Sequence, residues 1–175
     1  MFKIKADDLW DYSLAAYSKN SVKHACLTLQ DTMQINVNLV LSMMYLCHHQ
    51  RMYEFDDIVQ LEQAIAPIEN KLAEHRAKRR ALKSISQERY KQALDEELVL
   101  EKQQQHLLVE KANTLEFGFM LSPDYLCDQL SALCWSRIID THIDNKQRPL
   151  TEHVTQHNTL PQSVIDACET IAKHV

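Results

Sequence analysis

Glycine is almost absent from this sequence: Gly118 is the only one among 175 residues. Average usage would give about twelve. Phosphate-binding loops, dinucleotide fingerprints and tight β-hairpin turns depend on glycine, because it reaches positive φ angles without a steric penalty. Nucleotide-binding folds and turn-rich β-proteins are therefore excluded, and the sequence predicts no strand pair and no internal repeat.

Signals for several other protein classes are also missing. The five cysteines form no Cys-x-x-Cys pair, and residues 1–9 lack the apolar core of a signal peptide. The longest apolar stretch, Val37–Cys47, is too short to span a bilayer. His153 and His157 have no acidic residue that would complete a zinc motif, and no nucleophile–base pair has supporting context. We expect a reduced cytoplasmic protein that is not an enzyme, with no metal, no cofactor and no membrane association.

Apolar residues recur at helical spacing along most of the chain. The spacing predicts helices that begin near Asp7, Asn20 and Val37, two long helices over 56–83 and 87–113, and helices after Ser122 and Thr159. Val37–His48 is apolar on most of its circumference, which is typical of a buried helix at the centre of a core. Pro67 either kinks its helix or starts a new one.

The predicted fold class is all-α, with three regions in one compact domain. An N-terminal helical core spans residues 1–66, a protruding antiparallel two-helix hairpin spans 67–115, and C-terminal helices over 116–175 pack back. The second long helix carries leucines near coiled-coil spacing, but Glu101 and Gln105 interrupt the seam. This imperfect spacing is compatible with packing inside one chain. It is also compatible with a homodimer through the hairpin or the C-terminal helices.

The charge is unevenly distributed, although the whole chain carries only −5. Eight basic and two acidic residues give residues 71–91 a charge of +6, which leaves −11 for the rest. The basic residues are the candidate nucleic-acid or partner-binding residues: Lys71, Arg76, Lys78, Arg79, Arg80, Lys83, Arg89 and Lys91.

Four of these cations, Arg76, Arg79, Arg80 and Lys83, fall on one helix face at 100° per residue. The same face carries the apolar stripe from Ile58 to Leu72. We expect the helix to pack on the core as far as Leu72 and then to extend past it with a cationic tip.

If the chain reverses at Ser84–Ser86, Arg79 and Arg80 lie near Tyr90 and Lys91, and Arg76 lies near Asp95 or Glu97. The tip would then bind an anion, either DNA phosphates or an acidic protein. The alternative is an ordinary solvated hairpin with cross-helix ion pairs, each worth about 0–1 kcal/mol.

A second polar cluster contains Gln30, Asp31, Asn36 and Asn38, at the junction between two predicted helices. Capping and turn hydrogen bonds are the ordinary role of such residues. The alternative is a small polar binding pocket.

Several segments resemble a known family. These are Leu9–Leu14, Ala25–Asp31, Asn36–Leu39, the arginine-rich Leu72–Lys83 and the glutamate-rich Glu96–Glu101. Together they are similar to a proteobacterial family of small helical proteins that includes the vibrio type VI secretion regulator TsrA, a global repressor with some likeness to the H-NS nucleoid silencer. The resemblance covers roughly residues 9–110. Gln34 and Tyr45 depart from it, because relatives often carry glycine and tryptophan there.

The resemblance implies a regulator of gene expression. It does not imply a catalytic role for any residue. The expectation is a transcriptional repressor or silencer of type VI secretion and virulence genes that binds DNA or protein through the basic hairpin. A protein–protein adaptor without direct DNA binding is the alternative, and a small-molecule-binding helical protein is the second alternative.

Overall fold

The computed structural model describes residues 2–120, 122, 124–144 and 160–175. They form seven α-helices and two short strands, so the prediction of an all-α fold is confirmed. In chain order the elements are α1 Ala6–Tyr17, α2 Asn20–Met33, α3 Val37–His48, β1 Arg51–Met52, α4 Phe55–Leu82, α5 Gln87–Ala112, β2 Gly118–Phe119, α6 Asp124–Asp144 and α7 Gln162–Ala172.

Side-chain caps fix several helix starts where the sequence placed them. The Asn36 side chain accepts a hydrogen bond from Leu39 N at 3.1 Å and so caps α3. Ser86 Oγ accepts one from Arg89 N at the start of α5. Ser122 Oγ accepts one from Asp124 N before α6. Each cap satisfies a backbone donor that the first helical turn leaves without a partner.

Helix α4 runs without interruption through Pro67, so this proline does not start a new helix. Proline removes one backbone donor and displaces the carbonyl four residues earlier. That carbonyl belongs to Gln63, and both Gln63 and Pro67 are exposed. The lost hydrogen bond therefore falls on the face of α4 where water can replace it.

The prediction that the chain has no strand pair is wrong. Strands β1 and β2 form a two-stranded sheet, and Met120 N donates to Gln50 O at 3.1 Å beside it. The Arg51 guanidinium lies 3.8 Å from the centre of the Phe119 ring. Two-residue strands are too short to produce an alternating sequence pattern, which explains why the sequence did not reveal them.

The chain divides into two compact units, each built from separated stretches of sequence. The first contains Met1–Ser13 and Tyr53–Gly118, and the second contains Leu14–Met52 and Phe119–Val175. The boundary predicted between residues 66 and 67 lies inside α4. The antiparallel hairpin accordingly begins at Phe55, twelve residues earlier than the sequence suggested.

In the first unit, α4 packs along α5. The apolar stripe predicted for α4, from Ile58 to Leu72, is buried. The N-terminal segment is tied to the end of α5 because Asn113 exchanges two hydrogen bonds with the backbone of Ile4, at 2.9 and 2.8 Å. Gln105, which interrupts the leucine spacing of α5, is buried, and its Nε2 donates to Ser13 Oγ at 2.8 Å.

In the second unit, α3 is the central helix, as its apolar circumference predicted. Every residue from Leu39 to Cys47 is buried. Helices α2 and α6 pack against α3, and α7 packs against α2 and α6. Helix α2 ends at Met33, and its C-cap residue Gln34 has a φ of 56°, in the left-handed region. Glycine reaches that region most easily.

Candidate nucleic-acid interface

Four side-chain contacts show that α4 and α5 run antiparallel along their whole length. At the end of the hairpin farthest from the turn, Lys111 Nζ donates to Gln60 Oε1 at 2.9 Å. Further along, Gln104 Nε2 donates to Glu69 Oε2 at 2.6 Å. Arg76 then meets Glu97, and Arg79 meets Tyr90. The chain reverses at Lys83–Ser86, so the predicted antiparallel hairpin is confirmed for these two helices.

Arg76 lies at the centre of an ionic cluster between the two helices. Its three guanidinium nitrogens contact Glu69 at 3.2 Å, Glu97 at 3.3 Å and Glu101 at 3.1 Å. Only 20% of the Arg76 side chain is exposed. The predicted proximity of Arg76 to Glu97 is therefore confirmed, and the arginine faces α5 and not solvent.

Arg79 extends the same cluster toward the turn. Its Nε lies 2.5 Å from Glu97 Oε2, and its Nη1 donates to the Tyr90 hydroxyl at 3.2 Å. Its guanidinium also lies 5.7 Å from the centre of the Tyr90 ring, within the range of a cation–π contact. The predicted pairing of Arg79 with Tyr90 is thus confirmed, and only 19% of the arginine side chain is exposed.

The pKa values in the cluster reflect burial opposed by pairing. Burial disfavours the charge on Arg76, but the hydrogen bond and charge of Glu101, with the charge of Glu69, raise the arginine pKa on balance. Burial has the largest influence on the Glu101 carboxyl, and together with the charge of Glu97 it raises the pKa although Arg76 lowers it. Two guanidinium groups and three carboxylates carry a net charge of −1, so the cluster holds one carboxylate more than its cations neutralise.

These contacts correct part of the predicted binding surface. Arg76 and Arg79 were expected to project from a cationic tip, and both instead turn inward and pair with carboxylates. The reason is that they continue the stripe formed by Ile58, Leu61, Ile65, Ile68 and Leu72. That stripe faces α5 along the whole of α4, and α5 extends as far as the turn. At the level of Arg76 and Arg79 this face meets Glu97 and not water, whereas Arg80 and Lys83, which share the face, lie closer to the turn and stay exposed.

Five other cations remain exposed around the turn, and we call them the distal cations. They are Lys78, Arg80, Lys83, Arg89 and Lys91. Glu88 is the one acidic residue within the same segment, 78–91, and it is also exposed. Among the residues that the structure describes, none of the distal cations lies within 4 Å of a carboxylate. The exposed charge of this end is therefore +4.

Two further exposed residues bear on this surface. Lys71 lies seven residues before Lys78 on the same face of α4, about 10.5 Å further from the turn, and is exposed. Ile85, inside the turn itself, exposes 72% of its surface. The distal end of the hairpin thus combines five cations with one uncovered apolar side chain.

The second predicted cluster lies at the junction between α2 and α3. The Asn36 side chain is used as the cap of α3, and the Gln30 backbone carbonyl accepts from Gln34 N at the end of α2. Asp31 is exposed, whereas Gln30 and Asn38 are half-buried. Capping, the ordinary role of such residues, is confirmed for Asn36.

A concave surface that the sequence did not reveal lies elsewhere in the first unit. Its volume is about 640 Å³, and its lining residues are Trp10, Ile68, Leu98, Val99, Lys102, Gln103, His106 and Leu107. The apolar side chains come from α1, α4 and α5, at positions that are distant from one another in sequence. Only their positions in the fold bring them together.

Two other predictions concern metal and sulfur chemistry. His153 and His157 lie outside the described residues; within those residues, no group of three potential ligands is arranged to hold a metal ion. Four of the five cysteines are buried and all five are free thiols. Burial raises the pKa of Cys26 to about 12 and of Cys47 to about 11, so these two thiols pack as small hydrophobes.

No described helix combines the length and apolar character needed to cross a bilayer.

Comparison with protein families gives one match. A family model described as a protein of unknown function, DUF2390, matches residues 8–108, more than half of the chain. The chain belongs to this family. The DUF2390 match contains nearly all of α1, the whole of α4 and most of α5, so the ionic cluster and the distal cations both lie within it. No curated protein and no solved structure is similar enough to count as a match.

Proposed function

We propose that this protein is a cytoplasmic regulator of gene expression, a repressor that contacts DNA through the distal end of its α4–α5 hairpin. The observation that supports the proposal is the set of five distal cations, which are exposed and have no carboxylate partner among the described residues. The resemblance to regulators of type VI secretion and virulence genes supports the regulatory role. The surface itself supports binding to a polyanion.

The division between paired and unpaired cations strengthens this proposal. An arginine that already contacts three carboxylates, as Arg76 does, gains little from a phosphate. A solvated lysine or arginine can neutralise a phosphate and release its counterion, which is the main source of non-specific DNA affinity. The ionic cluster around Arg76 also fixes the register of α4 against α5. It therefore sets the spacing of the distal cations.

The test is direct binding of duplex DNA at low salt by the whole chain and by a charge-reversal variant. Arg80→Glu, Lys83→Glu and Arg89→Glu together change the distal end by six charge units. We expect the wild type to retain duplex and this variant to lose it, with an unchanged helical circular dichroism spectrum. A matched control makes the same change at the exposed Lys5, Lys19 and Lys23, outside the hairpin, and should keep most of the binding.

Two outcomes would contradict the proposal. One is that the wild type fails to retain duplex at low salt, and the other is that the two triple variants bind equally well. Equal loss in both would mean that overall charge decides affinity, since each variant carries −11 in place of −5. Neither result would depend on knowing the target genes.

A second candidate function is an adaptor whose distal end meets an acidic protein. Ile85 favours it, because an apolar residue surrounded by charged ones matches the usual anatomy of a protein interface. Substituting Ile85→Ser separates the two candidates. An adaptor should lose its partner, whereas contacts with DNA phosphates alone should leave the affinity for duplex unchanged.

A further inference from the structure

One stripe on α5 has both apolar and charged members and faces away from α4. Asp95, Leu98, Val99 and Lys102 occupy positions i, i+3, i+4 and i+7, which lie on one face of a helix. All four are exposed; Leu98 shows 48% of its surface and Val99 shows 58%. Such exposure is unusual for two adjacent aliphatic residues in the middle of a 26-residue helix.

The apolar part of this stripe belongs to a larger concave surface. Leu98 and Val99 line the groove of about 640 Å³ together with Trp10, Ile68 and Leu107. Leu107 is itself 38% exposed. Contiguous exposed apolar surface on a protein commonly marks an interaction site.

The order of the charges indicates which partner fits. The stripe has a carboxylate at its N-terminal end, an ammonium group at its C-terminal end and the apolar pair between them. We propose that a second copy of this chain packs antiparallel against the stripe, about a two-fold axis between Leu98 and Val99. Leu98 then contacts Val99 of the second copy, and Asp95 meets Lys102 of the second copy on both sides of the axis. An isologous interface of this kind requires a self-complementary surface, and this stripe has one.

The neighbouring residues limit the strength of this dimer. Lys102 already lies 3.6 Å from Asp7, but these side chains are 55% and 89% exposed, so this pair is weak and leaves the ammonium group accessible. One turn beyond the stripe, Lys91 and His106 face each other across the axis and add no attraction. A stable interface buries about 800 Å² on each partner. The stripe and groove are smaller, so the dimer should form in a concentration-dependent manner.

The dimer would also organise the surface proposed to bind DNA, and this step rests on the proposed function. At 1.5 Å per residue, Gln87 at the start of α5 lies about 17 Å from the axis. The two distal ends would therefore be about 35 Å apart. Equivalent positions on one face of B-DNA repeat every 34–36 Å. Two hairpin ends could then contact one duplex one helical turn apart.

Mass measured by sedimentation equilibrium over a protein concentration series tests the dimer. We expect the wild-type mass to rise from monomer toward dimer. Asp95→Lys alone and Lys102→Asp alone each place like charges together at both ends of the stripe and should keep the protein monomeric. The double variant Asp95→Lys with Lys102→Asp restores opposite charges and should restore the dimer. A wild type that stays monomeric throughout, or single variants that dimerise like the wild type, would overturn the proposal.

The variants also separate this inference from the proposed function. The four positions are exposed, so circular dichroism should show the same helix content in every variant. If the mass series shows the dimer while duplex is not retained, the dimer stands and the DNA-binding function fails. If duplex is retained through the distal cations by a protein that stays monomeric, the function stands and the dimer fails. With both correct, duplexes of about 20 base pairs should bind more tightly than duplexes of about 10, and the single variants should lose that difference.

Discussion

The inner stripe of α4 has two halves that occupy the same helix face and differ in chemistry. From Ile58 to Leu72 the stripe is aliphatic and buried. From Arg76 to Arg79 it is ionic, and it pairs with Glu97 and Glu101 on α5. An aliphatic contact tolerates small shifts between helices, whereas an arginine held by three carboxylates does not. We infer that the aliphatic half supplies most of the stability and that the ionic half supplies the register.

The largest expected effect is in the aliphatic half. Leu61 is fully buried, and Leu61→Ala should lower the free energy of unfolding by about 2–5 kcal/mol, because the lost methyl groups leave a cavity. Urea denaturation followed by circular dichroism measures this change. Leu94→Ala, on the same hairpin but 39% exposed, is the control and should cost far less. Equal costs would break the distinction between the inner stripe and the outer surface.

The next effect is in the ionic half. Glu97 contacts both arginines, and its side chain is 11% exposed. Glu97→Gln should cost about 1–3 kcal/mol, because it leaves two nearly buried guanidinium groups short of a carboxylate. Glu101→Gln should cost much less, because Glu101 pairs with Arg76 whereas Glu97 pairs with both arginines, and because the variant removes the excess negative charge. If Glu101→Gln costs as much as Glu97→Gln, the shared carboxylate is not the centre of the cluster.

A third test replaces the ionic half by apolar residues. Arg76→Met and Arg79→Met together with Glu97→Leu and Glu101→Leu should leave stability unchanged or raise it by up to about 4 kcal/mol, because paired buried charges are often no better than apolar residues of similar size. The register should then be less well defined. Amide hydrogen exchange in α5 and the strength of duplex binding measure that loss. A large fall in stability would show that the ionic half contributes to the free energy of unfolding as well as to the register.

The smallest effect is a pH dependence of Glu101. Because burial raises its folded pKa above the ordinary value, the folded protein binds this proton more tightly than the unfolded chain. Its favourable contribution to stability is complete below the ordinary pKa of about 4.3, and it disappears as pH rises through the raised pKa. The free energy of unfolding of the wild type should therefore fall relative to that of Glu101→Gln as pH rises through this range. A difference that is independent of pH, or that grows in the opposite direction, would contradict the assignment.

The sequence predicted the helices and the partners of two arginines because both depend on regular geometry. Periodic apolar residues and capping signals located α3 and the turn at Lys83–Ser86. Antiparallel pairing about that turn then placed Arg76 near Asp95 or Glu97, and Arg79 near Tyr90. These inferences need only the rise and rotation per residue of a helix.

The remaining features depend on contacts between distant segments. The burial of Arg76 and Arg79 depends on how closely α5 packs against α4, which the sequence does not state. The groove requires Trp10 beside residues almost ninety positions later. Gln105 interrupts the leucine spacing of α5, and its buried hydrogen-bond partner, Ser13, lies 92 residues earlier in the chain. None of these contacts has a local sequence signature.

The salt dependence of DNA binding tests the central division between paired and exposed cations most directly. For five phosphate contacts the slope of log K against log salt concentration should be about −4.5. Arg80→Ala and Lys83→Ala should each reduce its magnitude by about 1, whereas Glu101→Gln, which changes only the inner cluster, should leave it unchanged. A slope that is insensitive to the loss of Arg80 and Lys83 would contradict the account.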